Sequence, residues 1–253
     1  MGPIDPDRPD EPNLARVWDF LVKGDSDGGY SLPADRARAR DLMAADPAMQ
    51  ERVRVSRQFA CTAARRAAAA GARQVIDLGS GLPASPAVHG GRSALVECDE
   101  LAAAMIAAEY EQAPGIAVVN GDLGDPAAIL ADPALLGVID LAEPACVVLG
   151  SVLYAREPQA GAEITRAYMT AAAPGSWLVA TAPFYADPEL LDAVRKVACT
   201  DVHSYTPGAF GALFGGLDLI APGVASARFW LAGLRRVAPG AGVTTLCAAG
   251  VKR

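Results

Sequence analysis

Apolar residues recur with two different periods along this chain, and the change between them falls near residue 73. Before that point the spacing is helical. "NLARVWDFLVKG" sets Leu14, Val17, Trp18 and Leu21 on one face and stops at Gly24, a residue suited to a helix C-terminus. "DSDGGYSLP" reads as a loop. Residues up to Gly71 then give two more helices that divide near Asp46-Pro47, where the proline suits a helix start. Beyond residue 73, short apolar runs alternate with helical stretches. Strands are predicted over 73–78, 93–98, 116–120, 145–151, 176–182, 217–221 and 243–249. Helices are predicted over 99–112, 126–132, 159–173 and 187–198, with a shorter one near 207–215. Several strands are continuously apolar, as in a parallel sheet covered on both faces.

The fold class expected is therefore α/β: a doubly wound, Rossmann-like, seven-stranded and mostly parallel sheet with an antiparallel last strand. The last two strands lack a clear intervening helix and suit a hairpin at the sheet edge. A helical N-terminal extension precedes the sheet. The divisions expected are a disordered tail over 1–12, a helical cap or lid over 13–72 and the α/β domain over 73–253.

Composition narrows the function classes. A formal charge of −7 disfavours nucleic acid, which needs a basic surface. No apolar run approaches the roughly 18 residues of a membrane span. The acidic, proline-rich start "MGPIDPDRPDEPN" is unlike a secretory leader, and a cytoplasmic location is expected. Five scattered cysteines form no CxxC pair, and three in apolar runs read as buried core; with two histidines, no metal is expected.

Candidate chemistry begins at "RQVIDLGSGLP". Gly79-x-Gly81-x-x-Ala84 formally satisfies a dinucleotide turn, G-x-G-x-x-G/A. Asp77 argues against one, because a carboxylate beside a pyrophosphate is repelled at short range. It would instead suit a cationic ligand such as S-adenosyl-L-methionine, which carries an ammonium and a sulfonium but no phosphate. Glu97 ends the second strand, where a carboxylate can accept from both ribose hydroxyls. Asp122 follows the third, placed for an adenine amino group, with Leu123 behind it. Asp99 reads as the N-cap of the next helix.

This constellation resembles the class I S-adenosylmethionine-dependent methyltransferases over about residues 73 to 253. A narrower resemblance runs nearly the whole length. "ARVWDFLVKG", "ADRARARDL", "IDLGSGLP", "GDLGDPAAIL", "VLGSVLY" and "APGSWLV" are similar to an actinobacterial S-adenosyl methyltransferase family formerly catalogued as a domain of unknown function. In that family the Gly-Leu-Pro ending of the glycine turn is normal. The sequence departs from the pattern on the acceptor side: only about fourteen residues separate Leu78 from Ser93, Ala87 replaces an asparagine, and Tyr154 stands where histidine is usual.

The resemblance implies S-adenosyl-L-methionine as cofactor, with S-adenosyl-L-homocysteine as product. It implies cofactor contacts from Asp77, Gly79, Ser80, Gly81, Glu97, Cys98, Asp122, Leu123 and Ser151. It adds Arg16, Asp19 and Tyr30 from an N-terminal helix and loop that close over the cofactor. Arg57 is either an exposed helix arginine or a partner for the methionine carboxylate. Methyl transfer depends mostly on positioning. Where a base is needed, His89 and Tyr154 are the first candidates, ahead of Tyr185 and His203. The expected partner is a small-molecule methyl acceptor, plausibly in secondary metabolism, with a homodimer as the candidate assembly. Two alternatives stand beside this reading: an S-adenosylmethionine-binding protein with a regulatory or non-methylating role, and an NAD(P)-dependent oxidoreductase.

Overall fold

The computed structural model describes residues 11–25, 29–82, 91–231 and 243–253. The expectation of a disordered tail falls largely on residues 1–10, and Ala84 and His89 fall within 83–90; all lie outside the described residues. Three helices come first: α1 (Leu14–Lys23), α2 (Pro33–Ala45) and α3 (Met49–Ala69). Asn13 starts α1 by accepting the Arg16 N–H, and Gly24, at φ 75°, ends it.

The α/β part follows as β1 (Gln74–Leu78), β2 (Arg92–Glu97), α4 (Glu100–Tyr110), β3 (Ile116–Asn120), α5 (Pro126–Leu130), α6 (Pro133–Val138), β4 (Ala145–Leu149), α7 (Pro158–Ala171), β5 (Trp177–Tyr185), α8 (Pro188–Val197), α9 (Pro207–Gly211), β6 (Asp218–Leu219), β7 (Ala225–Ser226), α10 (Ala227–Leu231) and β8 (Val243–Val251). Asp-Pro pairs start α5, α6 and α8, the aspartate accepting a backbone N–H while the proline takes the first helical position. The single helix expected over 126–132 is divided for this reason: the Asp132 carboxylate accepts from Ala134 and Leu135 and opens a second helix.

The sheet order is β3-β2-β1-β4-β5-β8-β6, with β7 also paired to β8. Strands β1 to β5 pair in parallel, and β8 runs antiparallel to β5, β6 and β7. The described residues thus carry eight strands, one more than the apolar runs suggest, because the two-residue β7 is too short to leave a periodic signal. The run 217–221 shrinks to the two exposed residues of β6 at the sheet edge, while the flanking Leu217 and Ile220 pack against the cores on the two faces. α10 also lies between the last strands, so they are not joined by a simple hairpin.

One face of the sheet buries Ile76, Leu78, Val96, Val147, Leu149 and Leu178 with residues of α6 and α7. On the other face Val75, Val148 and Val179 meet Phe59, Ala60, Ala63, Ala64 and Ala67 of α3. The alanine-rich turns of α3 let this helix lie close on the strands. Its first half belongs to a different core, with Met49 and Val53 packed among Val17, Phe20, Leu21 and Leu42 of α1 and α2, and Tyr185 and Val194 beyond. α3 therefore carries the cap directly on the sheet. Cys146 and Cys247 are buried, whereas Cys98, within the run expected as a strand, is exposed because β2 stops at Glu97. No helix of the described residues is long and apolar enough to cross a membrane.

Candidate functional site

The strand order reverses between β1 and β4, and in doubly wound sheets the crevice beyond the carboxyl ends at such a reversal is where ligands sit. Asp77 lies near the end of β1 and is buried. The chain then turns sharply, with Gly79 at φ 71° and Gly81 at φ 61°, conformations that favour glycine. The N–H groups of Gly79 and Ser80 both donate to the Val96 carbonyl, at 2.9 and 3.0 Å. A Cβ on Gly79 would lie 2.6 Å from Val152 Cγ2, so the turn passes against the loop after β4.

Glu97 closes this turn from the next strand. Its Oε2 accepts the Gly81 N–H at 3.0 Å and its Oε1 accepts the Asp99 N–H at 3.0 Å. Burial pushes the Glu97 carboxyl above its ordinary value, and those two N–H groups pull it partly back. Ser80 Oγ is buried without a hydrogen-bond partner. Arg57 of α3 is half-buried, with Nη2 likewise enclosed and unbonded. Burial lowers the Arg57 pKa, and the charge of Asp77 is the first influence opposing this, with a smaller one from Asp19. The buried carboxylate of β1 thus lies within electrostatic range of an enclosed guanidinium nitrogen that has no hydrogen-bond partner among the described residues.

Asp122 sits in the open: it accepts from Arg156 Nη2 at 2.5 Å and from the Gly124 N–H at 2.8 Å. Leu123 is buried, and its carbonyl accepts the Tyr168 hydroxyl at 3.2 Å. Cys98 lies beside Glu97; although the residue as a whole is exposed, partial desolvation of its sulfur, then the Glu97 charge, pushes the thiol up to about 11. Asp99 is the N-cap of α4, accepting the Ala102 N–H at 2.7 Å, and also takes Asn13 Nδ2 at 2.8 Å.

The cap is fastened over both sides of the reversal. Asn13 reaches Asp99, and the Tyr30 hydroxyl donates to Glu109 of α4 at 3.1 Å. On the other side Trp18 Nε1 donates to Tyr154 Oη at 2.8 Å, their rings 5.1 Å apart. Arg16 and Asp19 are turned to holding the cap itself together. Arg16 Nε meets Asp35 Oδ2 at 2.7 Å, while Asp19 accepts the Tyr30 N–H at 2.6 Å and pairs with Lys23 at 3.1 Å. Asn13 and Asp35 escaped the residue pattern; the signal available for Asn13 was its place just ahead of the first apolar turn.

Beyond β4 lies a hydroxyl cluster. Ser151, at φ 61°, donates through Oγ to Ser56 Oγ at 2.5 Å, and its N–H donates to Thr181 Oγ1 at 2.8 Å. Ser56 and Thr181 share a further bond of 2.5 Å. These residues line a cavity of about 630 Å³, counting its open mouth, walled also by Trp18, Tyr154 and Tyr185. Burial raises both phenols, Tyr185 to about 12 and Tyr154 further. The Arg52 guanidinium lies 4.6 Å from the Tyr185 ring centroid and pairs with Asp46 at 3.0 Å. His203 meets Tyr154 through backbone, its N–H donating to the Tyr154 carbonyl at 2.8 Å.

Comparison with known proteins agrees with this geometry. A family model described as S-adenosyl methyltransferase matches residues 3–253. A candidate methyltransferase from Thermobifida fusca YX superposes with a TM-score of 0.84 at 28% identity, the alignment covering 96% of each chain. A DUF574 family protein from Streptomyces avermitilis MA-4680 gives 0.84 at 23% identity, covering 97% of this chain and 99% of the other. The fold is shared with the magnesium protoporphyrin IX methyltransferase of Synechocystis PCC 6803, solved with S-adenosylhomocysteine bound, at a TM-score of 0.53 and 13% identity over 81% of this chain and 86% of that one. No curated protein matches the sequence significantly.

Proposed function

Because the chain belongs to the S-adenosyl methyltransferase family, with S-adenosyl-L-methionine as its cofactor, we propose that it methylates a small molecule seated beside the β1/β4 reversal, within secondary metabolism. The family displaces the dinucleotide alternative. The observation that carries the reading is an enclosed and unbonded guanidinium nitrogen, Arg57 Nη2, within electrostatic range of the buried Asp77 carboxylate. Opposite charges in one crevice fit the ammonium and carboxylate of an amino-acid tail, and the enclosed Ser80 hydroxyl has capacity for a further bond.

When bound, the cofactor supplies a methyl group activated on a sulfonium. The chain's residues do the placing. Asp77 takes the ammonium and Arg57 the carboxylate. Glu97 keeps the Gly81 turn in place and accepts the ribose hydroxyls with its remaining lone pairs. Cys98, Asp122 and Leu123 flank the adenine, Asp122 exchanging part of its bond to Arg156. Ser151 divides the cofactor side from the cavity, and the cap with Arg16, Asp19 and Tyr30 excludes water.

Isothermal titration with S-adenosylhomocysteine and with NADH checks this reading: the first binds and the second does not. The opposite pattern would remove it. Labelled methyl captured in a product from a metabolite extract separates methyl transfer from a purely regulatory use of the cofactor. Glu97→Ala is expected to weaken S-adenosylhomocysteine by roughly 1.5–3 kcal/mol, the cost of a lost charge-assisted bond. Unchanged affinity would take Glu97 out of the site.

A pH dependence follows from the same residue. The Glu97 pKa is raised above 4.5, and only its ionised form accepts two hydroxyl protons. Affinity should therefore begin to fall at a higher pH than an ordinary glutamate would give, with protons released on binding in that window. Titration in buffers of different ionisation enthalpy reads the proton count. Glu97→Gln should abolish this linkage.

A further inference from the structure

We propose that the methyl acceptor is an uncharged, ring-containing molecule that presents hydrogen-bond acceptor atoms to the cavity between α1, α3 and the end of β5. This deepens the methyltransferase reading and rests on it. Three features of the cavity lead there.

The first is charge. Among the described residues, Arg52 is the charged side chain in the lining, and it is bonded to the Asp46 carboxylate through both Nε and Nη2, at 3.2 and 3.0 Å. An anion or cation entering would lose its water without gaining an opposite charge, which disfavours both.

The second is the surplus of hydroxyl hydrogens. Thr245 Oγ1 is buried with no partner. Ser56, Ser151 and Thr181 have three hydroxyl hydrogens but two hydroxyl–hydroxyl bonds between them, which leaves one hydrogen over whichever way the Ser56–Thr181 bond points. Tyr154 Oη accepts from Trp18 and has its own hydrogen to give. All of these residues line the cavity. The wall is mostly apolar, and the few hydroxyl hydrogens left over in it are complemented by carbonyl, ether or ring-nitrogen atoms.

The third is the wall. Trp18, Tyr154 and Tyr185 supply ring surfaces, with Leu14, Leu42 and Val53 among the aliphatic neighbours. Ring faces stack on flat ligands with little loss of side-chain freedom.

Titration of the protein saturated with S-adenosylhomocysteine, using three probes of one skeleton, tests the assignment. The probes are 2-acetylnaphthalene (neutral, acceptor only), 2-naphthoate (anion) and 2-naphthylmethylammonium (cation). The neutral ketone should bind at least about tenfold tighter than either ion. Thr245→Val and Ser56→Ala, each first confirmed as folded by thermal melting, should weaken the ketone by roughly three- to tenfold. They should leave unsubstituted naphthalene unchanged. An ion that binds as well as the ketone, or no probe binding while S-adenosylhomocysteine still binds, overturns the proposal and leaves the cofactor reading intact. Failure of S-adenosylhomocysteine itself to bind overturns the cofactor reading instead.

Discussion

Gly79→Ala is expected to abolish measurable S-adenosylhomocysteine binding and to lower the melting temperature by roughly 5–15 °C, the equivalent of about 2–5 kcal/mol. Two costs add. At φ 71° an alanine is strained by about 1–2 kcal/mol. Its Cβ would also meet Val152 at 2.6 and 3.1 Å, and overfilling of this kind costs about 1–3 kcal/mol. Relief requires the turn to lift from the loop after β4, which moves the backbone N–H groups that Val96 and Glu97 hold. Gly81→Ala is the control. Its φ is 61° and no atom of the described residues lies within 4 Å of the added carbon, so the ligand-free protein should show strain alone, about 1–2 kcal/mol, and lose less stability than Gly79→Ala. Thermal unfolding with and without ligand, together with calorimetry, measures both. A Gly79→Ala protein that binds as well as the parent would show that the turn is not where the cofactor sits.

Asp77→Asn should weaken S-adenosylhomocysteine by more than about a hundredfold, near 3 kcal/mol, the order expected when one member of a buried charge pair is removed. The ligand then loses the carboxylate opposite its ammonium. Arg57 loses the anion that offsets its desolvation, so the ligand-free protein should also melt earlier. These two effects are separable with 5′-methylthioadenosine, which lacks the amino-acid tail. Parent and variant should bind that molecule with nearly equal affinity. If the variant loses both ligands alike, Asp77 serves to order the turn and makes no contact with the tail.

The parts of this site that were legible in the residues are those that local pattern controls. Asp77 and Glu97 each close an apolar run, and parallel pairing then sets the two runs side by side, Asp77 opposite Leu95 and Glu97 opposite Asn120. Asp99 as an N-cap was equally local. The grip of Glu97 on the Gly81 N–H was not, because it spans sixteen positions and exists only once β1 and β2 are in register. Arg57 was ambiguous for a similar reason. Helical spacing gives a face, but the sheet that α3 lies on decides how far the neighbouring side chains are enclosed. The Trp18–Tyr154 bond joins positions 136 apart, and the serine–threonine cluster joins three separate elements. No period in the sequence carries such contacts. Strand six misled because an apolar run predicts a full strand, whereas at the sheet edge only Asp218 and Leu219 pair with β8, and Leu217 and Ile220 are packed without being part of it.

The attachment of α1 at two points has a further consequence. Asn13, just before its first turn, is bound to Asp99 beyond β2, and Trp18, in the middle, to Tyr154 beyond β4. A helix of ten residues is about 15 Å long and moves as a beam. On the function proposed above, lifting it to admit a molecule on one side would also release its hold on the other, a shared door for both ligands. Equilibrium reciprocity then demands that whatever factor the cofactor product adds to acceptor affinity, the acceptor adds to the affinity for that product. The same enclosure that would keep water from the reacting methyl would also slow departure, with the first ligand to leave loosening the second.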